Sequence, residues 1–219
     1  ETLGEQAAQT IESVRWGILK GGSNVEYANG ASRAAVNTPI SLAMQRRATR
    51  TLLRQNAKPI TRIVGSTANF RTEPVEASFI GLGHVDLEND IRAMPGFTPV
   101  KQYGNPGTAY PGEIGAVDNV RYILTTLFTA FADAGGAKGT MISTTGTSAD
   151  VYPVVYLAEN AYGIVPLKGK DSLSIMVVNP KPTHGDPLGQ RGTAGWKTMQ
   201  TAVILNDAFM VRGEVAATA

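Results

Sequence analysis

Long helical periodicity in this chain is confined to residues 2–56, and the remainder is patterned for strands and turns, with one short helix among them. That segregation is the strongest constraint on the fold. Without regular βαβ alternation a doubly wound parallel sheet cannot be built, and helices grouped before strands give an α+β chain. No internal repeat is present. With helical segments at one end and a returning strand at the other, a discontinuous outer region around a central inserted one is expected.

The first helix is expected over Thr2–Lys20, where Leu3, Ala7, Ile11, Val14 and Ile18 fall within an arc of about 80° at helical spacing. Gly21-Gly22 ends it. Trp16 falls roughly opposite that stripe, so either a loop covers it or it is a subunit contact. A second helix is expected from Thr38-Pro39 to about Asn56, with Lys58-Pro59 as its stop. Leu42, Met44, Ala48, Leu52 and Leu53 share one side of it. Arg46, Arg47, Arg50 and Arg54 lie within about 100° of each other on the opposite side, with no lysine or glutamate between them. The arginine fork suits carboxylates and phosphates, so this face fits acidic residues of a neighbouring subunit, nucleic-acid backbone, or plain solvent. No aromatic residues interleave with it, which argues against stacking on single strands.

Further along, strands are expected at 78–83, 120–126, 151–157, 173–178, 201–205 and 209–215. Asp86 is placed as the cap of a short helix carrying Leu87, Ile91 and Met94, closed by Pro95-Gly96. The segments 98–115, 138–150 and 179–195 read as loops, and 128–136 as either helix or irregular chain. Trp196 is expected to anchor a turn before two closing strands around Asn206-Asp207.

Signals for chemistry are sparse. The chain has no cysteine, which excludes disulfides, thiolate nucleophiles and cysteine-based metal sites. Its two histidines, His84 and His184, have no G-x-S-x-G near them, and a His84/Asp86 metal pair lacks a third ligand at suggestive spacing. Residues 135–140, Gly-Gly-Ala-Lys-Gly-Thr, depart from the phosphate-binding G-x-x-x-x-G-K-[ST] pattern. No catalytic residue, metal ligand or cofactor site is therefore nominated. A net charge of +2 is too small to mark a nucleic-acid binder, and no apolar run approaches the ~18 residues that would span a membrane. Charged residues make up only 17%, which suits a protein that meets many neighbours.

Three stretches together resemble one family, the major capsid proteins of tailed bacteriophages, in particular a podophage-type group. Gly112-Glu113-Ile114-Gly115 followed by Val120-Arg121-Tyr122 resembles its "GEIG, spacer, V-R-[FY]" block. Residues 192–197 and 202–207 resemble its closing block, and Arg47 to Pro59 matches its basic helix more loosely. The resemblance implies the Johnson fold, with a peripheral domain built on a spine helix and a long sheet, and an axial domain. Residues 1–62 and 196–219 are then expected to form the peripheral domain around an axial domain at 63–195, with Thr2–Lys20 as spine helix. The family's N-terminal arm and extended loop normally precede the spine helix, whereas here helical pattern begins at Leu3, so either that portion is absent from this chain or Thr2–Lys20 is not the spine helix.

The implied function is self-assembly, as hexamers and pentamers, into the icosahedral shell of a virion around packaged double-stranded DNA. Decoration, scaffolding or portal proteins are further expected partners, and no membrane or cofactor is. Trp16, Arg46, Arg47, Arg50 and Arg54 are the expected subunit-contact residues, with the three long loops as contact surfaces. Two alternatives are an encapsulin-like compartment shell and an α+β hydrolase; the latter needs His84 or His184 buried beside a nucleophile.

Overall fold

A computed structural model describes residues 2–68, 71–105, 107, 109–166, 173–182 and 184–219; Pro106, Thr108 and Thr183, in the expected loops, and 167–172 lie outside the described residues. Helix α1 (Thr2–Leu19) opens the chain, followed by β1 (Val25–Tyr27) and α2 (Leu42–Arg54). Then come β2 (Phe79–Gly83), α3 (Glu88–Arg92), β3 (Phe97–Pro99), β4 (Glu113–Val117), β5 (Val120–Leu124) and β6 (Tyr152–Leu157). The chain closes with β7 (Tyr162–Pro166), β8 (Leu173–Val178), β9 (Thr193–Thr198), β10 (Gln200–Ile204) and β11 (Met210–Val215).

The architecture is the α+β one expected, around a mixed seven-stranded sheet in the order β1-β11-β6-β2-β5-β4-β3. The β1/β11 and β2/β5 pairs are parallel, while the other neighbours run antiparallel. This sheet crosses both expected boundaries, at residues 62 and 195, because β1 and β11 pair into the set formed by β2–β6. Such pairing joins residues far apart in sequence, which periodicity cannot register.

Helix α2 lies on this sheet. It starts three residues later than Pro39, with Ser41 as the cap whose hydroxyl accepts from the Met44 amide, while Pro39 bridges in parallel to Ala216. It ends where Asn56 takes φ of 56° and the Ala57 amide returns to the Leu52 carbonyl. Met44, Ala48 and Leu52 are fully buried among Phe79, Val120, Tyr122, Val154 and Tyr156, as their spacing requires. Leu53, expected on the same face, is 54% exposed because it lies a further 100° round the helix, at the margin of the contact. Gly213 of β11 makes the approach possible, since a Cβ there would collide with the Met44 methyl.

Helix α1 matches its expected span but not its expected buried face. Ala7, Trp16 and Leu19 are buried, whereas Val14 of the expected stripe is 57% exposed. The helix does not rest on one continuous surface. Its last turns pack Trp16 and Leu19 onto Phe128, Val155, Leu157 and Met210, while its body lies along β9 and β10. Trp16 is therefore an internal anchor, stacked on Phe128 at 4.1 Å between ring centroids and 15° between planes. The covering segment is the irregular stretch around Phe128, so the outward, subunit-contacting placement of Trp16 is corrected.

The remaining strands form a ribbon. β7 pairs antiparallel with β10 (Tyr162 opposite Ile204), and β8 with β9 (Leu173 opposite Thr198, Val178 opposite Thr193). The second ladder is nested inside the sequence of the first, and the turn-rich segment after Val178 joins β8 to β9 at the tip. Trp196 sits within β9 opposite Ile175 and anchors a ladder, not the expected turn. β10 returns beside α1 as expected, but β11 continues into the seven-stranded sheet. The 206–209 turn between them is held by the Asn206 side chain, which accepts from the Ala208 amide, and by Asp207, which accepts from the Ser23 amide at 3.1 Å.

Candidate assembly surface

The arginine face of α2 divides once its surroundings are seen. Arg46 donates to Asp118 at 2.8 Å, and Arg47 donates to the Tyr27 carbonyl at 2.9 Å and lies 3.5 Å from Glu26. Both are thus engaged within the chain. Arg50 and Arg54 are exposed and make no hydrogen bond or ion pair with the described residues. The exposed Arg46–Asp118 pair contributes no more than about 1 kcal/mol, so it fixes geometry more than stability. An open groove of about 420 Å³ runs beside this face, lined by Arg46, Thr49, Arg50, Leu53, Glu76 and Asp118. Its wall at Asp118 is the β4–β5 turn, where Asp118 takes φ of 48°.

The densest polar contacts lie inside the chain, and sequence reasoning did not assign them. Arg121 on β5 forms a two-pronged pair with Glu113 on β4 at 2.7 and 2.8 Å, with the side chains 3% and 0% exposed. The Tyr103 hydroxyl and the Tyr110 amide donate to the same carboxylate at 2.7 and 2.8 Å. A register shift between Glu113 and Gly115 brings this about. Pairing continued regularly from Ala116↔Arg121 would put Glu113 opposite Leu124, on the far face; the irregularity puts it opposite Ile123, on Arg121's face. Gly115 permits the crowding, since a Cβ there would meet the Thr98 carbonyl at 2.5 Å. The Gly-Glu-Ile-Gly and Val-Arg-Tyr signatures are thus two halves of one buried ion pair. Reading 113–124 as a hairpin turning at Asp118-Asn119 would have put the two signatures on adjacent strands, but regular pairing would still have left Glu113 on the face opposite Arg121.

A second buried carboxylate, Glu214 on β11, receives Arg33 at 2.7 and 2.8 Å, and Arg212 approaches it at 3.0 Å. Arg33 also stacks 3.6 Å from the centre of the Phe131 ring, pinning the chain before α2 against the sheet. Under α2, Gln45 donates to the Val117 carbonyl at 2.8 Å and accepts from the Tyr122 hydroxyl at 2.7 Å. The Tyr122 and Tyr156 hydroxyls lie 3.4 Å apart. By helical spacing Gln45 lies within the apolar arc of α2, between Leu52 and Leu42, and the structure supplies the partners that a polar side chain there needs.

Burial holds the Tyr122 and Tyr156 phenols well above their ordinary range, and burial followed by the Glu113 carboxylate does the same to Tyr103. The folded chain therefore keeps these protons at a pH where the unfolded chain loses them. Their contribution is full below pH ~10 and falls as pH rises beyond it. Unfolding followed between pH 8 and 11.5 should show stability dropping above pH ~10, and Tyr156→Phe should flatten part of that drop; an unchanged slope would show that Tyr156 is not protected.

The histidines take minor roles. His84 accepts from the Asp86 amide at 3.1 Å, so it and not Asp86 caps the turn leading into α3, while Asp86 accepts from the Tyr152 hydroxyl at 2.7 Å. His184 is exposed in the ribbon tip. Among the described residues no cluster of three or more His, Asp or Glu side chains could hold a metal ion, and no helix is long and apolar enough to cross a membrane.

No family model matches the chain, and no curated protein matches it in sequence. Solved structures do match its fold. A chain of the capsid of Ralstonia phage GP4 superposes with a TM-score of 0.60 at 13% identity, covering 100% of this chain and 66% of that one. A chain in the head structure of Helicobacter pylori bacteriophage KHP40 gives 0.55 at 14% identity, covering 95% and 64%. The acidic stable capsid structure of Helicobacter pylori bacteriophage KHP30 gives 0.55 at 12% identity, covering 98% and 67%. The chain thus has the α+β fold found in phage capsid structures and spans about two thirds of the length of the chains it matches.

Proposed function

We propose that this chain is a structural subunit of a bacteriophage capsid, which self-assembles into the shell of the virion and performs no catalysis. The reading rests on one observation, the fold match to phage capsid and head chains over 95–100% of the sequence. The paired Glu113 and Arg121 signatures favour the podophage-type major capsid group within that fold. In this reading α1 is the spine helix and the β7–β10 ribbon is the long peripheral sheet. The seven-stranded sheet with α2 and α3 forms the axial part.

Assembly into hexamers and pentamers needs contacts that are individually weak and multiplied by closure of the lattice. Arg50 and Arg54, with Arg46 and Arg47 held beside them by Asp118 and Glu26, present cation to an acidic surface of a neighbouring copy. Non-specific contact with packaged double-stranded DNA and contacts with decoration, scaffolding or portal proteins are the finer parts of the same reading.

Electron microscopy of the purified chain at high concentration should show rings or shells, and a protein that stays monomeric throughout would overturn the proposal. Arg50→Ala with Arg54→Ala should reduce assembly at least tenfold, read by sedimentation, with an unchanged unfolding midpoint. Equal loss of assembly and stability would remove the arginines from the contact.

A further inference from the structure

Strand β8 carries a pattern that the isolated chain does not satisfy. Its sequence, Leu-Ser-Ile-Met-Val-Val, is apolar on both faces, which is the composition of a strand buried on both sides. Yet Leu173, Ile175, Met176, Val177 and Val178 are 43%, 56%, 48%, 64% and 63% exposed. The pairing register sorts them. Leu173, Ile175 and Val177 share a face with Ala194 and Trp196 of β9, while Met176 and Val178 share the opposite face with Gly195 and Lys197. A two-stranded ladder exposed on both faces is at best marginally stable in water. Each edge also leaves a row of backbone groups open to pairing.

The area involved is that of an interface. Leu173, Ile175 and Val177, all on the Trp196 face, amount to a patch on the order of a few hundred Å², the size at which a monomer's apolar surface becomes a binding site. Further along the tip, Leu188 is 78% exposed.

The chain also carries a second, different apolar surface. Two open grooves of about 360 and 300 Å³ share Ile60 as a lining residue, and around them Ile63 is 73%, Tyr110 39% and Ile164 37% exposed. One groove is walled in part by Tyr162 and Ile164 of β7, at the other end of the ribbon from the β8–β9 face, and both surfaces stay open in the same molecule. A projecting apolar arm and an apolar groove elsewhere on the chain are what a head-to-tail contact between identical subunits requires.

We infer that the β8–β9 end of the ribbon is an assembly arm that packs through its Leu173/Ile175/Val177/Trp196 face onto the Ile60/Ile63 surface of a second copy of this chain. The inference rests on the shell-subunit reading, to which it adds the contacting segments.

The test uses the full chain, which has no cysteine of its own. The single thiol introduced by Ile175→Cys should react quickly with a maleimide in dissociated protein and at least tenfold more slowly in assembled particles. Ile175→Asp with Val177→Asp, and separately Ile63→Asp, should leave the monomer folded by circular dichroism and unfolding midpoint while abolishing rings or shells. Normal assembly of either charged variant, or full reactivity of the introduced thiol in intact particles, overturns the arm. If the unaltered chain itself fails to assemble, the shell-subunit proposal falls first, so the two failures are distinguishable.

Discussion

Glu113→Ala should lower the stability of the folded chain by about 3–5 kcal/mol, the loss expected when one member of a buried ion pair is removed and the other is left without compensation. Arg121 is 3% exposed and enclosed by the rings of Tyr103 and Tyr110, each 5.3 Å from its guanidinium, so water cannot readily solvate the stranded charge. The same substitution takes the acceptor from the Tyr103 hydroxyl and the Tyr110 amide. Glu113→Gln, which keeps the shape and one acceptor, should cost less. Urea unfolding of the three proteins provides the comparison: a loss under ~1 kcal/mol for Glu113→Ala would show that the carboxylate is not holding a desolvated charge. Because the pair clamps β4 to β5 beside the 103–110 segment, destabilisation should be felt first at that edge of the sheet.

The second large effect is expected at Trp16. Trp16→Ala removes a side chain that is 1% exposed and stacked on Phe128, and truncations of this size in a packed core cost about 3–5 kcal/mol. The indole N–H also reaches the Thr129 carbonyl at 3.4 Å. Without this anchor the apolar support of α1 falls to Leu19 and Ala7, beside the flank of the ribbon and the polar contacts of Arg15 and Lys20, so its amides should exchange faster by at least an order of magnitude. Trp16→Phe, which retains a ring to stack, should recover most of the loss. A Trp16→Ala protein with an unaltered unfolding midpoint and unaltered α1 exchange would return Trp16 to the surface role that its helical position suggested.

Trp16 also shows why helix burial is only half legible in a sequence. Periodicity marks which residues share a face, and for α2 that sufficed: Met44, Ala48 and Leu52 meet the sheet along one straight contact. α1 has two partners in different directions, and its ranking of faces is set by where Phe128 and the β9–β10 strands happen to stand. The arginine face was visible as a pattern. That Arg46 and Arg47 are already engaged while Arg50 and Arg54 are not depends on Asp118, Glu26 and the Tyr27 carbonyl, which no spacing connects to α2.

What the sequence alone determined was the α+β class, the position of most strands, and the pairing of motif blocks that points to a phage capsid fold. These follow from local alternation, helical spacing and turn residues, all short-range properties of the chain. Tertiary structure alone decided the sheet order, the union of β1 and β11 with β2–β6, and the burial of Glu113 and Glu214. The physical reason is that strand pairing and ion-pair burial join residues that are neighbours only in space. The register shift at Glu113–Gly115 makes the point at the scale of one residue: it selects the face on which a carboxylate meets its arginine, and local sequence preference leaves that choice open.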